Sequence, residues 1–162
     1  MIFLEEIPKR IFHAIHFKLK NCKIYKIMQQ VEYIIVKEDH DMINEWIRKS
    51  NNASHLSRSD RDKLNKKLAN ANIVDTEVCP ADVVRIYSKI TLRDKILRVN
   101  YQYTIVPPSE ADHRKGHLSA ISPIGAAALG RKMGEDITFE TLNKKRYLVI
   151  LGVSMPVEII EE

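Results

Sequence analysis

The chain has 162 residues, enough for one ordinary domain or for a small domain with an appendage. Hydrophobic residues make up 44% and charged residues 29%, the balance of a water-soluble globular protein, and no apolar run approaches the roughly 18 residues of a membrane span. Six basic residues against Glu5 and Glu6 place +4 of the net charge of +5 in residues 1–27, so the rest is near neutral and direct sequence-specific nucleic-acid binding is not expected.

Residues 1–30 read as a basic extension, helical or disordered. Ile7, Ile11, Phe12, Ile15 and Leu19 recur at helical intervals among lysines, a pattern that fits a packed or frayed appendage, a membrane surface or a partner. His13, His16 and Cys22 supply three donors where a structural zinc needs four, so no metal site is expected. A translation start at Met28 is a second reading of this segment. Cys22 and Cys79 lack any metal-type spacing and no secretory signal is evident, which fits a reducing cytoplasm.

Residues 31–78 predict a short antiparallel helical hairpin. Met42, Ile43, Trp46 and Ile47 form one apolar stripe, and polar residues from Ser50 to Ser54 break it. Ser57 or Ser59 caps a second helix, with Asp60 and Asp62 suited to its positive end and Leu64, Leu68 and Ala71 on its apolar face. The two stripes are expected to face each other, in a pair too short to be stable alone.

After Pro80 the period becomes alternating. Val84, Ile86, Ser88 and Ile90 mark a first strand, residues 91–94 a turn, and Leu97, Val99, Tyr101, Tyr103 and Ile105 a second strand. Pro107 and Pro108 end it, and a charged loop from Glu110 to Gly116 leads to a short strand around Leu118. Ser122 then caps a short helix with Pro123 at its first position and Gly130 as the left-handed residue past its end. Residues 137–141 and 147–153 form a last strand pair, and the acidic tail 156–162 is expected to be loose. Residues 79–155 therefore read as an α+β domain, an antiparallel sheet with one short helix laid across it.

The chain carries no phosphate-binding glycine loop, no nucleophile elbow and no zinc-protease helix. Asp112 and His113 are adjacent in a loop and do not make a base with its orienter, and Cys79 reads as a small buried filler. No catalytic residue and no cofactor is expected. The Glu110–Gly116 loop and the Ser119–Pro123 turn flank the small helix and mark one end of the sheet as a docking surface.

The run Ser109-Glu-Ala-Asp112-His-Arg-Lys-Gly116, followed by Ser119-Ala-Ile-Ser-Pro-Ile-Gly-Ala-Ala-Ala-Leu-Gly130-Arg-Lys-Met-Gly134, resembles the C-terminal domain of bacterial Gre transcript-cleavage factors. Leu64-Asn-Lys-Lys-Leu68, with Pro80-Ala-Asp-Val-Val84 and Ser88, looks more like a shorter relative, the regulator of nucleoside diphosphate kinase (Rnk). The resemblance covers about residues 33–153 and leaves the first thirty outside it.

That resemblance implies an FKBP-like domain behind a coiled-coil hairpin, and binding to RNA polymerase near its secondary channel. It places the docking surface at Glu110, Asp112, Ser119, Ile121, Ser122 and Pro123. Gre factors also deliver a pair of carboxylates from the hairpin tip to a catalytic magnesium. Here the tip from Lys49 to Arg58 has no carboxylate, Asp60 and Asp62 lie beyond it, and a helix over 38–49 reaches only roughly 18 Å. The expectation is a monomeric, non-enzymatic regulator that occupies the channel rim and competes with Gre factors. The alternative is a cleavage factor using Asp60 and Asp62. A prolyl isomerase, implied by fold type alone, needs an aromatic pocket, whereas most of Tyr87, Tyr101, Tyr103, Phe139 and Tyr147 fall on strand faces the core requires.

Overall fold

Residues 34–36 are Ile-Ile-Val, an all-apolar run of β-branched residues that forms a fully buried strand, β1 (Ile34–Val36). In the computed structural model residues 33–50, 57–141 and 144–155 are described. The expected basic extension 1–30, the tip between the two helices, the turn at 142–143 and the tail 156–162 lie outside the described residues.

Helix α1 (Lys37–Lys49) follows β1 directly, with Glu38 and Asp39 in its first turn and Arg48 and Lys49 in its last, the polarity that a helix dipole favours. Helix α2 (Arg58–Ala69) is capped by Ser57, whose hydroxyl accepts from Asp60 N and donates to the Asp60 carboxylate. Strand β2 (Asn72–Val74) then returns beside β1, parallel to it.

The remaining strands form one five-stranded sheet, β3 (Lys89–Asp94), β4 (Asn100–Val106), β5 (His117–Ser119), β6 (Asp136–Thr141) and β7 (Lys144–Ser154), in the order β5-β4-β3-β7-β6. Helix α3 (Pro123–Ala128) lies between β5 and β6 in the chain. The fold is α+β, as the change of period predicts.

Three details differ from the sequence reading. Val84 and Ile86 are buried core residues but precede the strand, which starts at Lys89; the turn falls at 95–98, not 91–94. Asp94 causes this shift. Its Oδ1 accepts from both Ile96 N and Leu97 N, at 2.8 and 2.9 Å, so the side chain builds the turn after itself and leaves Ile96, Leu97 and Val99 exposed. Second, the sheet is mixed, because β5 runs parallel to β4. Third, Cys79 is half-buried at the end of a short 3-10 turn and not a core filler.

The helical stripes do not simply face each other. Ile43 and Ile47 of α1 and Leu64 and Leu68 of α2 enter the same buried cluster as Ile90, Leu92, Ile105, Leu118, Leu129 and Ile150. Each such side chain contributes about 1.5–3 kcal/mol by leaving water, so the helices owe their stability to the domain they cover.

Two buried charges lock this arrangement. Asp39 Oδ2 accepts from Ile86 N at 3.0 Å, and burial pushes its carboxyl above the usual range. Lys67 Nζ donates to Ala126 O at 2.6 Å and Ala127 O at 3.2 Å, and burial pushes its amine well below the usual lysine range. Sequence signals for both existed: Asp39 lies one turn before Ile43, and Lys67 sits on the helix face of Leu64 and Leu68, each a charge inside an apolar stripe.

Gly130 ties β1 to the sheet domain. It accepts from Ile34 N at 3.0 Å, donates to Val84 O at 2.8 Å, and has φ of 72°, the left-handed value expected just past α3.

Candidate functional site

The residues expected to dock a partner all lie between the end of β4 and the start of α3. After β4, the prolines drive a 3-10 turn at Pro108–Glu110, and its last residue is exposed with its carboxylate accepting from Tyr87 Oη at 3.2 Å. Tyr87 adopts φ of 69°, which a non-glycine residue holds only against a cost of order 1–3 kcal/mol. That conformation leaves the residue 41% exposed beside Glu110. Desolvation and the neighbouring carboxylate raise the phenol's pKa. Sequence reasoning did not place Tyr87 beside this loop, and nothing in its flanking residues marks a left-handed position.

Asp112 caps a second 3-10 turn, His113–Lys115: its Oδ1 accepts from Arg114 N at 2.9 Å, and its Oδ2 lies 3.8 Å from Lys115 Nζ. Its backbone N–H and C=O both bond to His117, at 3.1 and 2.9 Å. The loop is thereby pinned to β5 at both ends, with His113, Arg114 and Lys115 exposed around a half-buried Asp112.

The Ser119–Pro123 turn is built inward. Ser122 Oγ accepts from Gly125 N at 3.1 Å and donates to Ser119 O at 2.7 Å. A Cβ on Gly125 would stand 2.1 Å from that same Ser119 oxygen, so the close approach of helix and turn requires glycine. Ile121 is buried at 8% exposure, and Ser119 Oγ is buried with no hydrogen-bond partner among the described residues. Pro123 is half-buried and lines a cavity on the α2 side. Of the six residues, Glu110 presents its charge outward, Asp112 turns its carboxylate to its own loop, Ser119, Ile121 and Ser122 shape the turn, and Pro123 lines the cavity beside α2.

Asp60 and Asp62 do not converge. Asp60 is half-buried and bound to the Ser57 hydroxyl, while Asp62, two residues on, is exposed on a different face of α2. Among the described residues no group of three His, Cys, Asp or Glu side chains is placed to hold a metal ion. Burial raises the Cys79 thiol, and with it the proportion of the unreactive protonated form. Among the described residues no helix is long and apolar enough to cross a membrane.

The fold and this loop define a class: a small α+β domain that presents a pinned, charged loop at the edge of its sheet. Residues 79–155 match the family model described as "Transcription elongation factor, GreA/GreB, C-term". Transcription elongation factor GreA of Clostridium beijerinckii is 33% identical over 92 residues, which are 57% of this chain and 58% of that protein. The GreA of Roseiflexus castenholzii is 36% identical over 103 residues, 64% of this chain and 65% of that protein. The chain thus matches less than two thirds of the length of these relatives. A solved structure, "Prokaryotic transcription elongation factor GreA/GreB from Nitrosomonas europaea", superposes with a TM-score of 0.62 at 24% identity over 76% of this chain and 99% of that one, a likeness of fold.

Proposed function

We propose that this chain is a non-catalytic transcription regulator that binds RNA polymerase at the rim of the secondary channel and competes there with Gre factors. The match of residues 79–155 to the GreA/GreB C-terminal model supports the partner, and one observation supports the absence of catalysis. Both helices spend their apolar faces on the domain core, through Ile43, Ile47, Leu64 and Leu68, so they are anchored along their length and are not free to reach into a channel. The separation of Asp60 from Asp62 points the same way, since a metal needs its carboxylates delivered to one place. In this reading the domain is FKBP-like, the helical pair is a shortened counterpart of a coiled-coil hairpin, and the chain stands with Rnk rather than with the cleavage factors.

The docking surface is the loop carrying Glu110 and Asp112, with Ser119, Ile121 and Ser122 holding its floor. Capture of core polymerase by the immobilised full chain tests it directly. Capture is expected, and it should fall when a Gre factor is added. Backtracked complexes incubated with the chain and magnesium should release no short 3′ RNA. Absence of capture overturns the reading, and release of RNA that Asp60→Ala with Asp62→Ala abolishes would establish a cleavage factor instead.

A further inference from the structure

A cavity of about 340 Å3 opens between α2, α3 and β6, away from the docking loop. Its walls are apolar where they come from Leu64, Phe139 and Pro123, and low where α3 contributes Ala126 and Ala127, so space remains that larger side chains would have filled. Its charge is unbalanced. Asp60 is already held by the Ser57 hydroxyl at 2.6 Å, and Glu140 by Lys63 at 3.3 Å. Arg131 is only loosely paired with Glu135, at 4.0 Å. Lys67, 9% exposed, is held by carbonyl oxygens and stands 4.4 Å from the Tyr33 ring centroid. Lys145 at the rim has no ion pair among the described residues and lies 5.7 Å from the ring centroid of Tyr147.

We infer that this cavity is a binding site for a small organic anion with a flat aromatic body, its ring against Phe139 and Leu64 and its charge between Lys67 and Lys145. A buried lysine amine whose hydrogen bonds go to carbonyl oxygens is most readily held in its protonated form by an anion brought into the same desolvated space. The apolar walls supply the area that holds the ring, and the rim lysine supplies attraction and orientation. The burial that depresses the Lys67 amine acts against its charge, and a bound anion acts in the opposite direction.

The test uses the full chain with two fluorescent probes of similar shape, anilinonaphthalene sulfonate as the anion and phenylnaphthylamine as its neutral counterpart. The sulfonate is expected to bind saturably at one site, with amide shifts in the NMR spectrum confined to Ala126, Ala127, Arg131, Thr138 and Phe139. Lys145→Glu, an exposed change that folding tolerates, should weaken the sulfonate by about tenfold or more and the neutral probe hardly at all. Thr138→Trp at the exposed rim should block both probes. Non-saturating binding, shifts placed elsewhere, equal effects of Lys145→Glu on the two probes, or full binding to Thr138→Trp each overturn the assignment.

Discussion

Lys67 on α2 reaches across the domain and places its ammonium nitrogen 2.6 Å from the carbonyl oxygen of Ala126. A helix of six residues leaves most of its C-terminal carbonyls without internal partners, and here a side chain from another helix takes up two of them. The same bond joins the helical pair to the sheet domain.

Replacing Lys67 with Met keeps most of the volume and removes the donor, so the Ala126 and Ala127 carbonyls lose their partner. A loss of about 1–3 kcal/mol in urea unfolding is expected, with Lys67→Ala losing more because a void is added. The pH dependence has a definite sign. The folded-state pKa of Lys67 is lowered, so between that value and about 10.4 the unfolded chain binds more protons. The wild type should therefore gain stability relative to Lys67→Met as pH rises through that window. A difference that stays flat or shrinks with pH would contradict it.

Asp39 titrates in the opposite sense. Its folded-state pKa is raised above the unfolded value of about 3.9, so in the window just above that value the folded chain binds more protons and stability falls as pH rises. Asp39→Asn keeps an oxygen for Ile86 N and carries no charge. It should remove this slope at a cost below about 1 kcal/mol, whereas Asp39→Ala should cost about 1–3 kcal/mol by leaving the N–H unpaired. Urea midpoints between pH 4 and pH 7 separate the two variants.

Gly125→Ala should destabilise by about 2 kcal/mol or more, because its Cβ would fall 2.1 Å from backbone, which cannot swing aside as a side chain can. Gly134→Ala is a useful comparison, since nothing lies within 4 Å of its Cβ and only its φ of 88° opposes the change. Thermal unfolding of the two variants should rank Gly125→Ala as clearly the worse.

Docking and stability should separate within the proposed site. Ser122→Ala removes a cap and is expected to cost about 1 kcal/mol of stability while polymerase capture by the folded protein stays near normal. Reversing charge with Glu110→Lys should leave stability within about 0.5 kcal/mol and lower capture by tenfold or more. If Glu110→Lys leaves capture unchanged, the docking surface lies elsewhere.

The sequence made some of this legible for physical reasons. Ser122, Pro123 and Gly130 bound α3 through chemistry local to the chain, and so does Ser57 at the start of α2. Alternation also placed Tyr101, Tyr103 and Ile105 on one side of β4. What it could not provide depends on long-range contacts. The Asp94 turn overrode the alternation at Leu97 and Val99, the parallel pairing of β5 depends on a neighbour distant in sequence, and Ile121 is buried by tertiary packing although it sits in a turn. The placement of Tyr87 was hidden because a left-handed residue without glycine leaves no trace in composition.

The parallel pairing of β4 with β5 has a consequence for how any visitor is received. His117 sits opposite Thr104 and Ser119 opposite Val106, so the chain must double back within residues 107–116 before it can run forward again. The segment is a return path whose ends are fixed by the sheet, and its two 3-10 turns and the Asp112–His117 bonds fill the detour. Association there orders little that was not already ordered, so most of the contact energy remains available as affinity. A longer detour would forfeit that advantage, and a shorter one would pull β5 out of register.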